Sequence, residues 1–180
     1  MAATTKSWPD FASRGLQMLF GIVVLGIAIT LLKGHKQGAL PASLAFAAVT
    51  GAVSVVAAGV CLAASRFDFI HEQLVAVIDG VVFLLNTAGG IFLAIKLKGV
   101  SCKIKANDYE DAKDMFDNNI LCGGGVGHDM NRCYYATIGE WGIINRRCRQ
   151  ATADSAFMFL TALTLGIAAA LAFLRMKKGR

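Results

Sequence analysis

Acidic residues are scarce in this chain. Only 12 Asp and Glu stand against 18 Lys and Arg, and charged residues of both signs make up 17% of the 180 positions. With 56% hydrophobic residues, that composition excludes an ordinary soluble domain of this size. Other absences narrow the function. The glycine run Gly123-Gly124-Gly125-Val126-Gly127 has no Lys-Ser or Lys-Thr after it, so it is not a Walker-type nucleotide loop. No nucleophile-elbow motif appears, which argues against a Ser/His/Asp hydrolase. No basic stripe is interleaved with aromatics, so the net charge of +6 does not point to nucleic acid. No Cys/His spacing of the zinc kind and no N-x-[ST] sequon occur either. Catalytic, cofactor-binding and metal-ligating residues are therefore all expected to be none.

What is present is apolar sequence in long blocks. A bilayer core of about 30 Å needs about 20 helical residues to cross it. The blocks at residues 16–32, 40–64, 74–95 and 153–174 each meet that length, and predict an all-α membrane protein with a four-transmembrane-helix bundle. The first block is longer than a usual signal-peptide core and no A-x-A cleavage site follows it, so it is read as a retained span. Pro41 sits near the first turn of the second span, where its missing N–H costs nothing. The third and fourth spans are joined by a polar loop over 96–152, and a basic tail follows at 175–180.

The third span carries Asp79 and Asn86. An ionisable group inside a span is costly and should face protein or water. With Phe83 and Gly90, the two lie three or four residues apart on one helical face. Two roles fit them: hydrogen-bonding glue between helices, or a site for a lipid headgroup or a proton relay. Small residues mark two further faces, Ala47, Gly51 and Gly59 in the second span and Ala162, Gly166 and Ala170 in the fourth. That spacing lets helix backbones approach, within one bundle or between copies. Thr152 and Asp154 read as a cap and a first-turn acid of the fourth span.

The cysteines divide unevenly. Cys61 falls in an apolar block and reads as a buried thiol. Cys102, Cys122, Cys133 and Cys148 all lie in the long loop, which implies two disulfides if that loop faces an oxidising space. Cys102 and Cys148 lie just outside the spans the loop connects, which favours Cys102–Cys148 with Cys122–Cys133 inside it; the other two arrangements stay open. Within the loop, Asn107 or Asp108 can cap a short helix to about Asn118, and Trp141, Ile143 and Ile144 can lie back on the membrane. Oxidised cysteines put the loop outside and the termini in the cytosol. Basic residues give a divided vote, seven on the terminal side, two in the 33–38 turn and nine in the long loop.

Four spans with a cysteine-bearing loop before the last resemble the MARVEL-domain tetraspan proteins, with residues 1–180 as a single domain. The run Asn86-Thr87-Ala88-Gly89, then Leu93-Ala94 and Ser101-Cys102, is similar to the fungal non-classical export protein 2 branch. So is Cys148-Arg149-Gln150-Ala151, followed by Ala153, Ala156, Phe157 and Phe159. The resemblance implies a non-enzymatic organiser of plasma-membrane microdomains of the eisosome type, responsive to sphingolipids. It carries over the flanking pair Cys102 and Cys148; the extra pair Cys122 and Cys133 and the short tail depart from the pattern. Expected partners are membrane lipids such as sphingolipid or sterol, further copies of the chain, and other proteins of the membrane compartment. Bound lipids are expected in place of a cofactor, and no nucleic acid. Lys177-Lys178-Gly179-Arg180 also has the form of a dilysine retrieval signal, which would give an ER or Golgi location. The alternative functions are a small channel or transporter, and a quinone-linked thiol oxidoreductase on a four-helix bundle.

Overall fold

The computed structural model describes residues 8–67, 72–103, 116, 118–124 and 133–178. Their helices, in chain order, are α1 (Trp8–Lys33), α2 (Ala42–Phe67), α3 (Glu72–Lys96), the short α4 (Asn119–Cys122) and α5 (Tyr134–Thr137), and the long α6 (Trp141–Lys178). No strand occurs among the described residues. The two prolines stand where a helix tolerates them. Pro9 is in the first turn of α1, and Pro41 precedes α2, its carbonyl accepting from the N–H groups of Leu44 at 3.0 Å and Ala45 at 3.2 Å.

Among the described residues four stretches are long and apolar enough to cross a membrane: Phe11–Lys33, Ala42–Ala63, Gln73–Lys96 and Trp141–Leu171. Large apolar side chains such as Val49, Val56, Leu84, Ile95 and Leu163 point out of the bundle. In water such a surface would drive aggregation; in hydrocarbon it is the natural exterior, because the helices satisfy their own backbone groups. The chain is an integral membrane protein.

α1, α2, α3 and α6 form a ring in which each helix packs on the next. Neighbours run antiparallel. Gly21 meets Ser54 and Val55 while Gly51 meets Leu25, and Arg147 reaches Leu31 while Phe20 meets Phe157. A Cβ on Gly51 would sit 2.7 Å from the Leu25 nitrogen, so the α1–α2 approach depends on a bare α-carbon there. A smaller cluster of Ala57, Val82 and Leu165 fills the terminal end of the bundle. The larger one joins Val24, Ala28, Leu31, Leu44, Ala47, Leu93 and Met158 of the spans to Phe116, Ile120, Leu121 and Ile144. The loop thus shares its core with the bundle and closes that end.

Three expectations change here. α6 begins at Trp141, not at Ala153, because residues 141–152 continue the helix while packing on the loop. Asp154 is therefore inside the helix rather than in its first turn. Thr152 is no cap; its hydroxyl donates to the Cys148 carbonyl at 3.0 Å, one turn back. Ile144 does not lie on the membrane surface either. Ile144 is buried, and the Trp141 ring meets Phe116 edge-on at 5.9 Å. The short helix expected from Asn107 or Asp108 lies outside the described residues.

Candidate functional site

Asp79 sits in the second turn of α3 and faces across the bundle. Arg14 of α1 donates to both of its carboxylate oxygens. The pair is largely sheltered, with side-chain exposures of 14% for Arg14 and 18% for Asp79. A bidentate guanidinium–carboxylate pair is the strong form of this contact, and removing either partner strands a charge. Arg14 also donates to Gln17 Oε1 at 3.1 Å. Cys61 lies close enough on α2 to feel the charges of both Arg14 and Asp79. Asp79 was legible in sequence as an intramembrane acid. Its partner was not, because Arg14 lies just before the first apolar run and reads as a flanking anchor.

Asn86 lies two turns along α3 and is buried. Its amide donates to Ser54 Oγ at 2.9 Å and to the Val82 carbonyl at 2.9 Å, and Ser54 in turn donates to the Thr50 carbonyl at 2.8 Å. Asn86 thus ties α3 to α2. Toward the loop end, Ser155 donates to the Gly90 carbonyl at 2.9 Å and ties α6 to α3. Both residues singled out in the third span make contacts between helices.

The small residues divide. Ala47 is buried and Gly51 packs on α1, whereas Gly59 has open space where a Cβ would stand. Ala162 is buried, Gly166 lies near Phe83, and Ala170 is exposed. Gly90, placed by the sequence on the face of Asp79 and Asn86, and its neighbour Gly89 receive Phe159 and Met158 of α6, a packing role that the spacing of small residues does not assign to them. Their signal was the Gly-Gly pair in an apolar run.

The bundle also holds polar atoms without partners. Asp154 is fully buried and neither carboxyl oxygen has a hydrogen-bond partner. Thr50 Oγ1, Gln17 Nε2 and Asn86 Oδ1 are in the same position. Each such group is a cost rather than a support.

The loop is held by two disulfides, Cys102–Cys148 with Cα atoms 5.5 Å apart and Cys122–Cys133 at 4.8 Å. Cys61 is buried in α2 and joins neither. Arg147 is the hub beneath the loop. It donates to the Ile120 carbonyl through Nε at 3.0 Å and Nη2 at 2.7 Å, and Nη2 also reaches the Leu31 carbonyl at 3.1 Å. Its guanidinium lies 5.5 Å from the centre of the Tyr135 ring, and the Tyr135 hydroxyl donates to the Gly34 carbonyl at 2.6 Å. Gly123 accepts from the Lys36 N–H at 2.6 Å and the Gln37 N–H at 3.2 Å. With φ values of +70° and +119°, Gly123 and Gly124 hold backbone shapes that other residues avoid. Any side chain on Gly124 would strike Gln37. The described part of the glycine run is thus seated on the α1–α2 turn; the rest lies outside the described residues.

Among the described residues no group of His, Cys, Asp and Glu has the arrangement of a metal site. The MARVEL family, defined as a membrane-associating domain, matches residues 7–171. The chain belongs to the MARVEL family. The match runs from the start of α1 into the last turns of α6, so the whole bundle and its loop fall within one MARVEL domain. No curated protein and no solved structure matches this MARVEL chain. The family supplies a membrane-associating role.

Proposed function

We propose that this protein is a non-enzymatic membrane organiser that self-associates in the bilayer and binds lipids, so shaping a plasma-membrane microdomain of the eisosome type. One observation carries the reading. The bundle turns much of its polar chemistry inward as ties between helices, Arg14 to Asp79, Asn86 to Ser54 and Ser155 to Gly90, while Gly26, Gly59 and Gly80 have open space beside their α-carbons. Outward-facing glycines form shallow notches, and such notches allow a second helix or a flat sterol ring to approach closely. On this reading the termini are cytosolic and the stapled loop lies outside the cell or in the secretory lumen.

Native mass spectrometry of the full chain in mild detergent tests it. The expected spectrum shows more than one copy per particle with retained sphingolipid or sterol; a bare monomer refutes the organiser. Impermeant labelling of Lys103 on intact cells tests the orientation. A channel or transporter is the second reading, favoured by the unpartnered Asp154. Ion flux in liposomes that disappears in Asp154→Asn would establish it instead. A Cys122–Cys133 bridge opened by mild reductant would turn attention to the thiol oxidoreductase.

A further inference from the structure

The described surface at the loop end is strongly basic. Lys36, Lys96, Lys98, Lys103, Arg146 and Arg149 are all exposed there. The exposed acid described at this end is Glu140. The cations come from separate stretches that contacts bring to one level. Arg147, next to Arg146, hydrogen-bonds Leu31 near the end of α1, and Asn118 donates to the Lys96 carbonyl at 2.6 Å. The Cys102–Cys148 bridge then holds the positions just before Lys103 and Arg149 with their Cα atoms 5.5 Å apart. Among the described residues none of these six cations is in an ion pair; the pair that is formed, Arg14–Asp79, lies toward the other end. The acids at 108–117 and Asp129 lie outside the described residues. Arg147 does not belong to the band, since its donors are already engaged by carbonyls.

Like charges gathered at one level repel one another, and here a covalent bridge ties together the cysteines that directly precede two of them. The band lies where the apolar helices stop, which is where lipid headgroups begin. We propose that it is a docking surface for phosphate-bearing anionic lipid headgroups of the leaflet at the loop end. Lys103 and Arg149, each next to a bridged cysteine, would hold one headgroup phosphate between them, with the other cations adding to the attraction. The depth of the band selects a lipid over a soluble polyanion, because these cations flank the ends of spans rather than crown the loop. This adds a lipid class to the organiser reading and rests on its premise of four spans.

The test uses the full chain in mixed micelles of equal phosphatidylcholine and phosphatidylinositol, with retained lipids identified by mass spectrometry. Phosphatidylinositol should be enriched roughly tenfold, with each basic residue near the surface contributing up to about fivefold. Raising the salt should erase most of the enrichment, as the Debye length falls from about 10 Å at 0.1 M to about 3 Å at 1 M. Lys103→Gln with Arg149→Gln should remove most of it too, and Lys103→Arg should leave it intact. Intact mass with both disulfides retained shows that the variants are folded. Equal retention of the two lipids overturns the proposal, as does enrichment indifferent to salt and to the double variant. Soluble inositol hexakisphosphate binding equally well without lipid would also overturn it, by assigning the band to a soluble polyanion. Copy number read from the same spectra keeps a failure of the organiser reading distinct from a failure of lipid selectivity.

Discussion

At the scale of single residues, two acids within the spans differ: Asp79 has a partner, and Asp154 has none among the described residues. Asp79 is held from both oxygens by Arg14. Arg14→Leu should destabilise the bundle by about 3–5 kcal/mol, because it strands a sheltered carboxylate. Arg14→Leu combined with Asp79→Leu should recover most of that loss. Unfolding of the two single variants and the double variant in detergent gives the coupling between them, and additive losses would refute the pairing. Asp154 has no counterpart to Arg14. Asp154→Val should raise stability by about 1–3 kcal/mol, the cost of an unsatisfied buried polar group. A lower melting temperature would mean that the carboxyl serves the fold in a way its contacts do not reveal.

At the scale of helices, sequence pattern carries far and then stops at definite places. The apolar blocks specify four spans because their length alone decides that question. The start of α6 is not legible in the same way. Residues 141–152 carry Arg146, Arg147 and Arg149 and read as loop, yet they stay helical because Ile144, Arg147 and Cys148 bury against the loop's own core. The fourfold spacing of Ala47, Gly51 and Gly59 shows that backbones can approach, but not which residue meets which helix. Gly51 meets α1, and Gly59 meets open space. Gly51→Val should therefore push α1 from α2 and lower stability by about 1–3 kcal/mol, the usual range for overpacking. Gly59→Ala should leave stability unchanged and, on the organiser reading, lower the copy number seen in native mass spectra. Asp79 and Asn86 were legible as costly residues needing partners. The partners Arg14 and Ser54 were not, since pairing across helices depends on a rotation that one chain's periodicity leaves undetermined.

At the scale of the whole molecule, the bundle and its loop share one hydrophobic cluster. Seventeen residues of the larger cluster come from both. The two bridges close loops of different length, with sequence separations of 46 and 11. Chain entropy alone gives about 4 kcal/mol for the longer and about 3 kcal/mol for the shorter. Cys102→Ala with Cys148→Ala should thus lower stability more than Cys122→Ala with Cys133→Ala, measured by denaturant unfolding of the oxidised protein. The opposite order would show that seating Gly123 and Gly124 on the α1–α2 turn matters more than loop closure.

The length of α6 has one more consequence. Its 38 residues span about 57 Å at about 1.5 Å each, nearly twice the about 30 Å of a bilayer core. The excess toward the loop is a stiff mast to which that compact cap is bolted through Cys148 and Arg147. Any tilt of the mast in a membrane of changed thickness must swing the cap with it. A purely mechanical property of the lipid sheet would then be visible as a displacement on the far side of the headgroups.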